Sequence, residues 1–293
     1  MSRVTVVIPA YNGISRYLDQ AIGSVLVQTY RDFELIVVDD ASSDDTGGLI
    51  ARYPGIRYVR RPKNGGQAAA RNDGGRAAAG EFLAFLDQDD LWEPGFLEHT
   101  VATLVGHLNV ALVHSDGTQV TERNKVLHYD AAMKRTSSIT QLLRGGHDTA
   151  TSGSLLRASC FDAVGGYDEA LCIWEDIDLA IRFYQRFPIL HLPQPLYRHR
   201  LYGHNASRGI TSDRALLGRR RFLEKHAPAC QPGTAEGRAL ARDWAQFYSD
   251  LGKHYLRTGA IVDARRAFQH SLRQNPFSHK AILRLLRSYV TIA

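Results

Sequence analysis

The chain has 293 residues, 44% of them apolar and 23% charged, and a formal net charge of +6; this ordinary globular usage excludes a disordered chain, a collagen and a long coiled coil, and the length suggests about two domains. No run of 18 apolar residues occurs, so no transmembrane helix is expected, and the opening MSRVTVVIPAYN has neither the apolar stretch nor the cleavage site of a secretion signal. Cys160, Cys172 and Cys230 lie far apart with no CxxC pair, which fits a reducing compartment and argues against structural zinc, while basic charge favours phosphate-bearing partners: nucleotides, nucleic acid or anionic lipid headgroups.

Residues 4–8 form an apolar run, interrupted only by Thr5, ending at Pro9, and Tyr17, Ala21, Ile22, Val25 and Leu26 follow a helical period. A second buried run, 35–38, ends at Asp39-Asp40. Ser43 is placed to cap the next helix, with Asp44 and Asp45 near its positive end. Residues 56–59 read as a third, weaker strand; 67–79 is Ala-rich and helical, closed by Gly80. Residues 82–86 form a fourth strand ending at Asp87, 94–104 a helix and 110–113 a fifth strand. This alternation predicts right-handed βαβ units and a parallel sheet covered on both faces. Ligands of such sheets sit beyond the carboxyl ends of the strands, where Pro9-Ala10-Tyr11, Asp39-Asp40 and the acidic turn 87–90 all fall.

From 115 the alternation weakens. Residues 114–129 read as a hairpin turning at 122–125, 151–156 as a strand, 176–186 as a helix and 196–200 as a strand. The predicted organisation is an α/β domain over 1–210 and an all-helical region over 211–293. Within the latter, Tyr248, Leu251-Gly252, Tyr255, Ala264, Phe268 and Pro276 fall at the offsets of one tetratricopeptide repeat, a helix pair at about 245–278, followed by a last helix.

Four clusters carry chemistry. Asp87-Gln88-Asp89-Asp90 puts three carboxylates within four residues; they repel unless a cation neutralises them, and Mg²⁺ or Mn²⁺ bridging to a ligand's phosphates would do so. An acidic turn with helix caps is the other reading, Asp90 serving as the cap. Asp39-Asp40 can accept hydrogen bonds from a base or ribose, or close an Asx turn. Asn64-Gly65-Gly66 allows close backbone approach, and Arg71 on the following helix suits bidentate phosphate binding or a surface ion pair. In Trp174-Glu175-Asp176-Ile177-Asp178, adjacent acids beside an aromatic can raise one pKa toward general-base duty, or simply favour a helix start. There is no GxGxxG after the first strand, no GxxxxGK[ST], no GxSxG and no HExxH, so dinucleotide, P-loop and common hydrolase readings lose their support.

Together the strings VVIPAYN (6–12), VVDDASSDDT (37–46), NGGQAAARNDG (64–74), FLDQDDLW (85–92), GGYDE (165–169) and EDIDLAIR (175–182) resemble, in order and spacing, a family 2 glycosyltransferase with a GT-A fold, over roughly residues 3–210. The resemblance implies inverting transfer from a nucleotide-diphospho-sugar, UDP-linked by family habit, to a saccharide or lipid-linked acceptor, as in cell-surface polysaccharide or other glycoconjugate synthesis. It implies that Pro9, Ala10, Tyr11 and Asp39 hold the base with Arg71 nearby, and that Asp40, Asp87 and Gln88 line the donor site. Asp89 would hold a divalent Mn²⁺ or Mg²⁺, and Asp176 would be the general base with Glu175 orienting it. Ser152, Gly153 and Trp174 would line the acceptor side. His199 and His204 are both candidates for the diphosphate or its metal, with Arg198 and Arg200 either further diphosphate contacts or structural arginines of an exposed strand.

Two alternatives remain at this level. A nucleotidyltransferase would carry a Gly-rich loop where Pro9-Ala10-Tyr11-Asn12 stands. A nucleotide-sugar-binding or scaffold protein would act through its helical C-terminus. No nucleic-acid partner is expected. The expected location is cytoplasmic, with peripheral contact at the inner membrane face if Lys280, Arg284 and Arg287, interleaved with Ile282, Leu283, Leu285 and Leu286, lie on an anionic bilayer rather than in solvent.

Overall fold

A computed structural model describes residues 3–130, 151–201, 213–231 and 233–290. Its described strands are β1 (Val4–Ala10), β2 (Phe33–Asp39), β3 (Arg57–Arg60), β4 (Phe82–Phe85), β5 (Leu91–Trp92), β6 (Leu112–Thr121), β7 (Val126–Asp130), β8 (Ser154–Arg157) and β9 (Ile189–Leu201). The described helices are α1 (Leu18–Leu26), α2 (Thr46–Ile50), α3 (Gln67–Ala77), α4 (Phe96–Gly106), α5 (Ala158–Val164), α6 (Glu175–Arg186), α7 (Asp213–His226), α8 (Ala235–Arg257), α9 (Ile261–Gln274) and α10 (His279–Val290). The described chain divides into two units: a sheet unit of 3–130, 151–169 and 175–201, and a helical unit that takes 170–174 together with the residues from 213 onward.

In the sheet unit the strands run β3-β2-β1-β4-β8-β6-β9-β5, with β7 paired to β6. The first four are parallel, as the βαβ reading requires. β1 is buried along its whole length because both faces are covered. Val4, Val6 and Ile8 enter one apolar cluster with Leu18 and Ile22 of α1. Val7 enters a second with Ala70 of α3 and Phe183 of α6. This period of two across a covered sheet reads in the sequence as an apolar run broken only by Thr5. α3 lies close on β1: a Cβ on Gly74 would stand 2.2 Å from Val7 Cγ1.

Beyond β4 the sheet is mixed. β8 is antiparallel to β4 and β6, β9 is parallel to β6, and β5 is antiparallel to β9. Several boundaries differ from the sequence reading. Residues 151–153 make a 3₁₀ turn before β8 rather than extending the strand. β9 starts at Ile189, seven residues before the predicted strand. Asp45, not Ser43, caps α2, accepting from Gly48 N at 2.9 Å; Ser43 lies outside the cap position and bonds Asn12 Oδ1 instead.

In the helical unit, Thr234 caps α8 through Gly237 N at 3.0 Å, so this helix begins at 235, ahead of the predicted pair. α8 and α9 approach closely where Gly252 faces Phe268; a Cβ there would lie 2.5 Å from the ring. Arg219 of α7 pairs with Asp250 of α8 at 2.9 Å and stacks 4.8 Å over Trp174. Among the described residues no helix is long and apolar enough to cross a membrane.

Candidate active site

The carboxyl ends of β1, β2 and β4 place three polar segments on one edge of the sheet. Pro9 and Ala10 are buried at the end of β1, and Ala10 O accepts from Asp40 N at 2.8 Å. Tyr11, about half exposed, is fixed by the Gln88 side chain, which accepts from Tyr11 N at 3.0 Å and donates to Tyr11 O at 3.2 Å. Asp39 is fully buried. It accepts from Ser42 N (2.8 Å), the Tyr58 hydroxyl (2.5 Å) and Arg60 (3.2 Å), and burial with that carboxylate raises the Tyr58 phenol. Asp40 spends both oxygens on the next loop: Gly65 N at 2.9 Å, Gly66 N at 2.7 Å and Arg61 at 2.5 Å. Gly66 adopts φ 88°, a conformation that costs glycine little. The Gly-rich loop therefore wraps a carboxylate of this chain.

Arg71 differs from the sequence expectation. Its side chain is buried, with Nη2 2.5 Å from Asp87 and Nη1 2.8 Å from Glu175. It lies 5.2 Å over the Tyr167 ring. The ion pair is therefore buried rather than at the surface, and the guanidinium bridges the end of β4 to the start of α6. Gln67, one turn earlier on the same face of α3, also donates to Glu175. Arg71 Nε is buried without a partner among the described residues. Asn72 holds the following Tyr167 segment, accepting from its N at 2.8 Å and donating to its O at 2.9 Å. Gln67, Asn72 and Tyr167 lie in the quoted strings 64–74 and 165–169 but carry no role there, although the four-residue spacing of Gln67 and Arg71 marks one helix face.

At α6, burial, with the charge of Asp176 adding to it, pushes Glu175 up to about 7 against the pull of Arg71. Asp176 accepts from its neighbour Ile177 N at 2.8 Å. It lines a cavity of about 20 Å³ with Thr151, Ser154, Tyr167, Leu179 and others, room for about one water. Asp178 points elsewhere, as 100° per residue requires, and pairs with Arg182 at 2.6 Å.

The acidic turn divides by burial. Asp87 keeps about a third of its side chain exposed, and Asp89 is half-buried. Asp90 is buried and does not cap α4, whose N-cap is Gly95. It accepts from Ser152 Oγ at 2.7 Å and Arg200 N at 3.0 Å. His199 Nδ1 stands 3.4 Å away; although burial opposes its charge, Asp90, Asp89 and Asp87 push it up to about 9. The same contact helps hold the Asp90 carboxyl below its ordinary range despite burial. Arg198 pairs with Glu93 at 2.6 Å, and Arg200 binds the carbonyls of Asp89 (2.8 Å) and Glu122 (2.7 Å), so both arginines have fixed protein partners. Ser152 lies beneath this turn, its carbonyl accepting from Trp92 Nε1 at 2.6 Å. Gly153 abuts Tyr197, where a Cβ would come within 2.5 Å. Trp174 falls in the helical unit, against Phe222 at 5.1 Å. His204 lies outside the described residues.

Among the described residues no three His, Cys, Asp or Glu side chains converge to hold a metal ion. The donors at the turn, Asp89 above all, fit a Mg²⁺ or Mn²⁺ that takes most of its ligands from water and phosphate oxygens, the usual habit of such hard ions, rather than an all-protein cage.

The family model for glycosyl transferase family 2 matches residues 5–165. An uncharacterized glycosyltransferase of Rickettsia conorii is 32% identical over 219 residues, covering 71% of this chain and 36% of that protein. Chondroitin synthase of Escherichia coli is 26% identical over 210 residues, 70% of this chain and 30% of that one. The chain thus spans about a third of the length of these relatives. Among solved structures, TarS of S. aureus in complex with UDP-GlcNAc has a TM-score of 0.68 at 20% identity, covering 99% of this chain and 90% of that one. The mannosyltransferase PcManGT of Pyrobaculum calidifontis, in complex with GDP-Man and Mn²⁺, has a TM-score of 0.58 at 18% identity, covering 100% and 81%. These likenesses show the fold, the GT-A arrangement of a mixed α/β sheet.

Proposed function

The chain belongs to glycosyl transferase family 2, and from that premise we propose that it moves a sugar from a nucleotide-diphospho-sugar, UDP-linked, to a hydroxyl of a saccharide or lipid-linked acceptor, inverting the anomeric centre. The observation that carries the reading is the meeting of Asp87, Arg71 and Glu175, from segments up to 104 residues apart, at the strand edge that also holds Tyr11, Asp39 and Asp89. TarS with its UDP-GlcNAc and PcManGT with its GDP-Man and Mn²⁺ support a nucleotide-sugar donor for this fold.

In this proposal Pro9, Ala10, Tyr11 and Asp39 receive the base, with Gln88 holding the Tyr11 backbone in place. Asp87 meets the ribose while Arg71 fixes its other side. Asp89 would hold the divalent cation. When bound, such an ion supplies stabilisation of charge on the departing diphosphate. Asp176 takes the acceptor hydroxyl's proton as that oxygen attacks the anomeric carbon from the face opposite the leaving group. Glu175, anchored by Arg71 and Gln67, fixes the start of α6 and so the place of Asp176. Ser152 and Gly153 line the acceptor side. A general base contributes ~10²–10⁴-fold to rate. Asp176→Asn should therefore lose transfer by that factor while calorimetry shows UDP with Mn²⁺ binding as in the parent. Asp89→Asn should instead weaken the Mn²⁺-dependent part of UDP affinity. Parent-like turnover by Asp176→Asn would overturn the assignment of the base.

A further inference from the structure

All of the chain's excess positive charge lies in its last thirty residues. Positions 264–293 contain Arg265, Arg266, Arg273, Lys280, Arg284 and Arg287 and no Asp or Glu, matching the net charge of +6; thirty basic and thirty acidic side chains balance over the preceding 263. Blocks of like charge are often interaction segments.

α10 shows where that surface lies. Its inner face is Ala281, Arg284, Leu285 and Ser288: Ala281 and Ser288 are buried, and Arg284 reaches Ser249 Oγ at 2.5 Å. The outward positions of a soluble helix are normally polar. Here they are Ile282, Leu283, Leu286 and Tyr289, all exposed, with Leu283 and Leu286 more than half so; Phe277, just before the helix, is 85% exposed. Lys280 and Arg287, seven residues apart and both exposed, fall on one border of this apolar stripe. On the other, Arg265 stacks 4.0 Å over Tyr289.

We infer that the outer face of α10 is a docking surface for an anionic lipid bilayer, the apolar stripe entering the interface and the basic border meeting the headgroups. An in-plane amphipathic helix requires this combination of apolar face and basic flank. A second copy of the chain fits less well. A two-fold contact would set this face against itself and bring Lys280 and Arg287 toward their own counterparts with no acidic residue of the segment to neutralise them. The inference is independent of the transfer chemistry, since none of these side chains belongs to the site.

The test is flotation of the full chain with vesicles of phosphatidylcholine alone or with about 30 mol% phosphatidylglycerol. Binding is expected only with the anionic lipid at about 0.1 M salt. It should be lost toward 1 M, where the screening length falls from about 10 Å to about 3 Å. Lys280→Glu with Arg287→Glu should lower the partition constant at least on the order of 30-fold, from the worth of each basic charge near such a surface. Leu283→Ser with Leu286→Ser should abolish flotation and leave donor hydrolysis unchanged. No flotation with anionic vesicles, equal flotation by the charge-reversed variant, or self-association abolished by the Leu→Ser pair without vesicle binding would each overturn the inference.

Discussion

Glu175→Gln isolates the electrostatic cost of holding a carboxylate beside Asp176. Glu175 is buried, and burial together with Asp176 lifts it from an ordinary 4.5 to about 7. A folded-state pKa above the unfolded one means stability that is fully present below the unfolded value and lost as pH rises through the folded value. The displacement is worth on the order of 3 kcal/mol at about 1.4 kcal/mol per pH unit. Glutamine does not titrate, so the stability of the variant relative to the parent should rise by about that amount between pH 4.5 and 8. The constant cost of giving Arg71 a neutral partner cancels from the comparison. Of the chain's three tryptophans, Trp92, Trp174 and Trp244, only Trp92 falls in the sheet unit. Urea denaturation followed by its fluorescence, with the other two replaced by Phe, reads the correct unit. Arg71→Met should act in the opposite sense, costing about 3–5 kcal/mol at pH 8 by leaving a buried charge without its partner, and less near pH 5, where Glu175 takes up a proton. A parent-to-Gln difference that moves by less than about 0.5 kcal/mol over this range, no more than an ordinary surface substitution, would refute the reasoning.

Asp40→Ala should destabilise the sheet unit by about 2–4 kcal/mol in the same denaturation assay, since it strips a carboxylate from Arg61 and from two backbone N–H groups. Asp243 has a buried Oδ2 without a partner among the described residues, and burial raises it to about 6 despite Arg219 and Arg242. By the same sign, Asp243→Asn should raise the Tm at pH 7.5 and lose that advantage toward pH 4. Gly252→Val should cost the helical unit about 1–3 kcal/mol through overpacking on Phe268, read as a lower thermal midpoint by circular dichroism.

The strands most visible in the sequence are those the fold buries on both faces. β1, β2 and β4 announce themselves as apolar runs because each side chain, up or down, meets a covered surface. β9 does not. It is largely half-buried and carries Pro193 and Pro195, residues that argue against a strand unless a bulge receives them. The register between β6 and β9 shifts at Ser115–Gly117, opposite this segment, which is why thirteen residues of strand read as five. Arg71 shows a different limit. An arginine after glycines reads as a phosphate ligand or a surface ion pair, and nothing local reveals that Glu175, 104 residues on, buries it in an ion pair.

Adjacent acids mark the deeper limit. Asp89 and Asp90 are one chemical type in one motif, yet successive residues face different ways, and Asp90 turns inward to Ser152 and the Arg200 backbone while Asp89 stays half-buried. Along α6 the same holds at 100° per residue: Glu175 faces Arg71, Asp176 a small cavity, and Asp178 the Arg182 guanidinium. An acid whose oxygens are already committed to protein donors, as those of Asp40 and Asp90 are, is held in place and serves the architecture. One that lines a cavity, as Asp176 does, or keeps part of its side chain exposed, as Asp87 does, stands where a ligand can reach it. Sequence fixes how many carboxylates stand at the edge; only the partners, brought in from distant segments, decide which of them can react.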